Sequence, residues 1–289
     1  MTARNQRSRG ADVRASTVHV TLAATALAFV LGAAACGAPT APPAPEGYRA
    51  PRTPDGTPDF SGIWQAMNTA NWNLEAHVAS QGPVIALGAA FSVPPGTGVV
   101  DGGEIPYLPQ ALSKRQANGS NWTTLDPEVK CFMPGIPRAT YMPFPFQIVQ
   151  SGDNILMSYE FASASRVVRM NATEKSPAPA WMGWSVGRWE GETLVIDVTD
   201  HMAETWFDRA GNYHSDALKV TERYAALDAN TLQYQATIED PGVFSRPWTI
   251  SMPLYRRREP NAQLMEYKCV PFAEELMYGH LRKQPATRP

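Results

Sequence analysis

L-K-V-T-E-R-Y-A-A-L-D-A-N-T-L-Q-Y-Q-A-T-I-E, residues 218–239, decides the fold class. Its second half sets Leu232, Tyr234, Ala236 and Ile238 against Gln233, Gln235, Thr237 and Glu239. Successive side chains of a strand point to opposite faces, so this segment is a strand with one buried and one wet face. The first half alternates in the same way through Leu218, Val220, Glu222 and Tyr224. Asp228-Ala229-Asn230 between the halves is turn chemistry, and together the two read as a hairpin.

Short runs of the same kind lie to either side, rich in Val, Ile, Thr and aromatics and separated by turn residues such as Ser151-Gly152-Asp153 and Glu190-Gly191. Strands are expected at Gln147–Gln150, Asn154–Tyr159, Ser165–Met170, Gly183–Trp189, Glu192–Val198, Leu218–Ala225, Thr231–Ile238 and Trp248–Tyr255, with an earlier one at Ser61–Ala66. Consecutive hairpins predict a mainly β fold, an antiparallel up-and-down barrel or strongly curved sheet of lipocalin-like layout. A barrel also removes exposed strand edges. A β-sandwich is the alternative. Short helices are expected at 71–79, Pro109–Ala117 and Phe272–Lys283. Residues 80–108, rich in Gly and Pro, read as a long irregular loop. The Pro-punctuated aromatic stretch Cys131–Phe146 reads as rigid loop.

The N-terminus points to export. Arg4, Arg7, Arg9 and Arg14 precede an apolar run from Val18 to Val30, about 13 residues, and small residues lead to Ala33-Ala34-Ala35-Cys36. That run is shorter than the roughly 20 residues a membrane-spanning helix needs. The ending resembles a lipobox. It implies a lipoprotein signal peptide over 1–35, lipidation at Cys36 and, with Gly37 following, an outer-membrane protein facing the periplasm. Residues 36–52 form a Pro/Ala-rich tether, and 53–289 one β-rich domain.

A net charge of −2 gives no electrostatic case for nucleic acid. The expected partners are a small-molecule ligand and, through the anchor only, a membrane; the chain reads as a monomer without a cofactor. With Cys36 lipidated, Cys131 and Cys269 remain, an even pair that reads as a disulfide in an oxidising compartment. Closing so long a loop is worth roughly 4 kcal/mol on chain-entropy grounds. Neither cysteine has a Cys or His at ligand spacing, and His201, Asp208 and His214, conceivable zinc ligands, match no specific spacing, so no metal site is expected.

Five blocks carry a resemblance: P-R-T-P-D-G-T-P-D-F-S-G-I-W (51–64), D-P-E-V-K-C-F-M-P-G-I-P-R-A-T-Y-M-P-F-P-F-Q-I-V-Q (126–150), W-M-G-W-S-V-G-R-W-E-G-E-T-L-V-I-D (181–197), F-D-R-A-G-N-Y-H-S-D-A-L-K-V-T-E-R (207–223) and E-D-P-G-V-F-S-R-P-W (239–248). They resemble an uncharacterised family of exported bacterial proteins over nearly the whole mature chain. The resemblance implies a secreted β-rich domain and no particular reaction.

Two sets of residues suggest chemistry. Gly183-Trp184-Ser185-Val186-Gly187 fits the G-x-S-x-G pattern, but Glu190-Gly191 and another strand follow where a nucleophile elbow needs a helix. The segment 200–223 gathers Asp200, His201, Trp206, Asp208, His214, Ser215, Asp216, Glu222 and Arg223. Imidazole beside carboxylate is the equipment of acid–base chemistry, so His214, Asp208 and Glu222 are the candidate catalytic residues of a hydrolase, lyase or isomerase. The same residues also read as a solvated loop with Asp and His as caps. Glu222 shares its face with apolar residues and so needs a partner among Arg138, Arg166, Arg169 and His214. Arg138, Tyr141, Phe144, Trp184 and Trp206 are the candidate ligand-binding residues, on the reading that an aromatic loop with one guanidinium covers a pocket mouth. Binding of a small apolar or aromatic molecule leads, with the enzyme and an envelope interaction module as alternatives.

Overall fold

A computed structural model describes residues 48–282, all within the unit that Ala41–Pro289 forms. The expected signal peptide, Cys36 and most of the tether lie outside the described residues, as does the last residue expected of the closing helix.

Nine strands close into one barrel in sequence order. They are β1 (Gly62–Ala66), β2 (Phe146–Ser151), β3 (Asn154–Tyr159), β4 (Ser165–Met170), β5 (Trp184–Glu190), β6 (Thr193–Thr199), β7 (Lys219–Asp228), β8 (Thr231–Glu239) and β9 (Trp248–Arg256). Every strand read from alternation is present, most within a residue of its expected ends. The ring shuts through β1 and β9, with Ala66 opposite Leu254, so the sandwich alternative falls. The inner faces repeat the alternation: Val220, Glu222, Tyr224 and Ala226 point inward from β7, and Leu232, Tyr234, Ala236 and Ile238 from β8.

One pairing departs from a pure meander. β4 and β5 run parallel, with Val168 opposite Ser185 and Met170 opposite Gly187. Alternation reports which face is buried and says nothing about strand direction. The 171–183 connection carries Pro177 and Pro179 and returns the chain along the length of the wall instead of turning it.

The two ends of the barrel differ. At the lower end lie the tight turns after β2, β5 and β7 and the segment leading into β1. The upper end carries the long excursions 67–145 and 200–218. The first includes α1 (Pro109–Ser120), α2 (Trp122–Leu125) and α3 (Arg138–Tyr141). Pro109 stands in the first turn of α1, where a missing N–H costs nothing. The helix seats on the second excursion through a close backbone approach. A Cβ on Gly119 would come within 2.4 Å of the Ala210 carbonyl, and Gly211 adopts φ +86 with the Gly119 nitrogen 2.3 Å from where its Cβ would stand.

Two local expectations are corrected. Residues 71–79 form no helix: Asn73 accepts from the Glu75 N–H, and His77 bridges to Gly96. Asn side chains compete with helical hydrogen bonds in this way. The stretch from Cys131 to Phe146 is not all loop, because α3 occupies its centre. The closing segment contains α4 (Ala273–Tyr278) followed by a single 3-10 turn.

Cys131 and Cys269 are bonded, which ties the C-terminal strap to the upper excursion. Beside the bridge, the Phe272 N–H donates to the Val129 carbonyl at 2.7 Å. Replacing both cysteines by alanine is expected to lower stability by about 2–4 kcal/mol, through a denatured chain freed of its cross-link. Urea titration with and without reductant checks this; an unchanged midpoint in both would contradict it.

Candidate functional site

The lumen is solid. Phe146, Ile148, Met157, Val168, Leu194, Ile196, Tyr224, Tyr234, Ile250 and Leu254 are fully buried, leaving no room for a water molecule beside them. At its centre lies a polar cluster. Arg166 Nη1 donates to Glu222 Oε2 at 2.6 Å and to Ser185 Oγ at 3.3 Å. The hydroxyls of Tyr224 and Tyr234 donate to Glu222 Oε1 at 3.0 and 2.9 Å. The inward period of β7 thus places Glu222 on a charge partner, and three donors satisfy its carboxylate. Ser185 of the G-x-S-x-G segment points into the same cluster from the second residue of β5, and another strand, not a helix, follows β5.

The three candidate catalytic residues occupy separate environments. Imidazole Nδ1 of His214 faces the Ser215 carbonyl at 2.8 Å, and Nε2 faces the Thr205 hydroxyl at 2.6 Å. Nδ1–H donating and Nε2 accepting satisfies both contacts with a neutral ring, and burial lowers the pKa accordingly. Asp208 accepts from the Leu74 N–H at 2.9 Å and from the Asn212 side-chain amide at 2.6 Å, pinning the two excursions together. Burial raises its pKa to about 6 in spite of those donors. Glu222 lies in the lumen as described, and neither carboxylate hydrogen-bonds His214. All three are buried, and none lines the cavities described below.

His201 stands against His214, edge to face, ring centroids 5.9 Å apart. Both its ring nitrogens are buried without a hydrogen-bond partner. Burial, aided by His214, lowers its pKa to about 3. The folded state therefore resists protonation that the unfolded chain accepts below about pH 6.5, so stability is lost as pH falls from 6.5 toward 3. For His201 the slope is about 1.4 kcal/mol per pH unit. His214 adds to it in the same direction. Asp208 opposes it between its unfolded value and about 6, because its raised folded pKa favours the acid form. Urea midpoints at pH 7, 6 and 5 should fall steadily, and His201→Met should flatten the fall; equal slopes for variant and parent would contradict the assignment.

The expected ligand-binding residues are dispersed. Arg138 is sealed in an ion network with Asp126 and Glu128. The Tyr141 hydroxyl donates to the Phe207 carbonyl at 2.9 Å, and Trp206 is buried in the bridge to Tyr213. Phe144 joins Phe161 and Tyr267 in an aromatic group under the C-terminal strap, where a cavity of about 320 Å³ opens. Trp184 lies at the β4–β5 seam.

At the lower mouth a cavity of about 370 Å³ opens between the segment before β1 and the barrel wall. Ile155, Met170 and Trp189 form its floor, and Thr53, Asp55, Thr57 and Ser151 line its rim. Trp189 is braced edge-on by Phe60 at 5.3 Å. Gln150 fixes the overlying segment, accepting from the Phe60 N–H at 2.6 Å and donating to the Pro58 carbonyl at 3.0 Å. The Thr53 hydroxyl holds the exposed Asp55 carboxyl below its usual range. The mouth draws on residues from the start of the described sequence and from its middle. Its one local signal is the polar turn Thr53-Pro54-Asp55-Gly56-Thr57 just ahead of a strand. Among the described residues no three His, Cys, Asp or Glu side chains converge to hold a metal ion. Neither the known protein families nor the curated proteins contain a match to this chain.

Proposed function

We propose that the protein is an exported, lipid-anchored barrel that takes a small apolar or aromatic molecule at its lower mouth. The observation that carries this reading is the cavity of about 370 Å³ with an apolar floor of Ile155, Met170 and Trp189 under a polar rim. Barrel mouths of this size and lining are a common place for small ligands. The basic N-terminal stretch, the apolar run and Ala-Ala-Ala-Cys36 support export and anchoring. The Cys131–Cys269 bond fits an oxidising compartment. A ring without free edges supports a monomer.

The acid–base alternative has weaker support, since His214, Asp208 and Glu222 line none of the described cavities. An exposed row of Val149, Leu156 and Val167, neighbours across β2, β3 and β4, favours the interaction-module alternative, but the reading chosen also accounts for the mouth.

The test is calorimetric titration with neutral naphthalene-class compounds. Ser151→Trp fills the rim without touching the lumen and should weaken binding by about tenfold or more, the loss expected when an apolar ring is excluded from its site. Affinity unchanged by Ser151→Trp would remove the mouth as the site.

A further inference from the structure

A second recess lies at the parallel seam. The 171–183 connection leaves β4 at Met170 and rejoins the sheet at Trp184, so it runs across the outside of the wall. Between the connection and β4 lies a cavity of about 400 Å³. Met133, Val167, Pro177, Trp181 and Met182 give it apolar walls, and Phe132 packs on Trp181 with ring centroids 4.7 Å apart. At one side the Arg169 guanidinium stacks on Trp184, 3.8 Å from the ring centroid.

The charge balance of the recess is one-sided. The one side-chain hydrogen bond described for Arg169 is a long one, 3.4 Å, to the Val167 carbonyl. Among the described residues no carboxylate stands within ion-pair distance of it. Arg166 also borders the cavity, but its charge is turned inward onto Glu222. Asp153 and Glu174 lie past the Arg169–Trp184 stack, on a neighbouring recess of about 530 Å³. The walls are therefore mainly aromatic and aliphatic, with Ser165 and Ser176 among them, and Arg169, which also borders the neighbouring recess, has no carboxylate within ion-pair distance among the described residues.

We propose that this recess binds an arene carboxylate, with the ring against Trp181 and the aliphatic wall and the carboxylate forked by Arg169. A guanidinium lying flat on an indole has one face covered while its edge N–H groups stay available, which suits two parallel bonds to a carboxylate. Stacking also restricts the side chain before the ligand arrives, so less freedom is lost on binding. The volume admits a one- or two-ring molecule. The site is separate from the lower mouth and does not depend on it.

The experiment is calorimetric titration of the full chain with 2-naphthoate and with its neutral analogue 2-naphthamide. The acid should bind at least about tenfold tighter, the margin of a charge-assisted bidentate contact over a neutral one. Arg169→Gln should abolish that margin and leave the amide's affinity unchanged, and Arg169→Lys should lose most of it. Ser151→Trp should leave a margin of at least that size, since it weakens only binding at the mouth. Equal affinities for acid and amide would overturn the proposal, as would a margin that survives Arg169→Gln or disappears with Ser151→Trp. The mouth reading would stand through any of these, provided neutral binding remains sensitive to Ser151→Trp. Unchanged urea midpoints for the Arg169 variants, whose side chain is only half-buried, confirm that a lost margin reports on binding.

Discussion

Arg138→Met should cost about 3–5 kcal/mol of folding free energy, a large part of the total for a domain of this kind. Arg138 is buried in α3 and makes four charge-assisted or amide contacts. Nη1 and Nη2 reach the two oxygens of Asp126 at 2.8 and 2.9 Å, Nη2 reaches Glu128 at 2.6 Å, and Nε reaches the Asn71 side chain at 2.9 Å. Removing the guanidinium leaves Asp126, fully buried, facing Glu128, with no cation of its own. Glu128 would keep Arg209, which pairs with it at 2.7 Å. Burial works against the charge on Glu128, but Arg209 and Arg138 together hold its pKa down at about 2. Arg138→Lys should recover less than half the loss, because an ammonium cannot fork Asp126. Adding Asp126→Asn to Arg138→Met should recover part of it by deleting the stranded charge. Urea unfolding of the single and double variants is the measurement, and a single-variant loss under 1 kcal/mol would refute the account.

The lumen predicts a comparable effect with a different signature. Arg166→Met leaves the Glu222 carboxylate with two tyrosine hydroxyls and no cation, inside a wall of aliphatic side chains. Glu222→Leu leaves the opposite charge stranded. Each should destabilise by about 3–5 kcal/mol. The double variant should lie near the parent or above it, since an apolar pair of similar volume avoids the desolvation of both ions. Near-additive losses would show instead that shape complementarity, and not ion pairing, sets the value of this cluster.

These two networks also separate what the sequence displays from what it conceals. Strand alternation was legible because each strand buries one face, and the same period put Glu222 inside among candidate partners that included Arg166. The parallel direction of β5 was not, since both directions bury alternate residues equally. The 71–79 stretch misled because Leu74, Glu75 and Ala76 suit a short helix, while Asn73 caps a local turn and Asn71 turns to Arg138 instead. The candidate ligand-binding group failed to gather for a related reason. Arg138 beside Tyr141, Phe144 and Phe146 looks like a grip for a guest, but the acids that absorb its charge, Asp126 and Glu128, lie 12 and 10 residues upstream and meet it only once the chain folds back. The lower mouth joins Thr53–Thr57 to residues near 150, 170 and 189, and no local pattern announces such a meeting.

Ring closure has a consequence for the order of assembly. The hairpins from β2 to β4 and from β5 to β9 join neighbours in the chain, so the entropy lost in forming them is small. β1 has no such neighbour. Its partners are β2, beyond the whole of the first excursion, and β9, close to the opposite terminus of the domain. The strand synthesised first can therefore pair on one side once β2 has emerged, but its other edge stays open until β9 follows, so Ile63 and Trp64 of a nascent chain are housed in full only after nearly all of the barrel has been made.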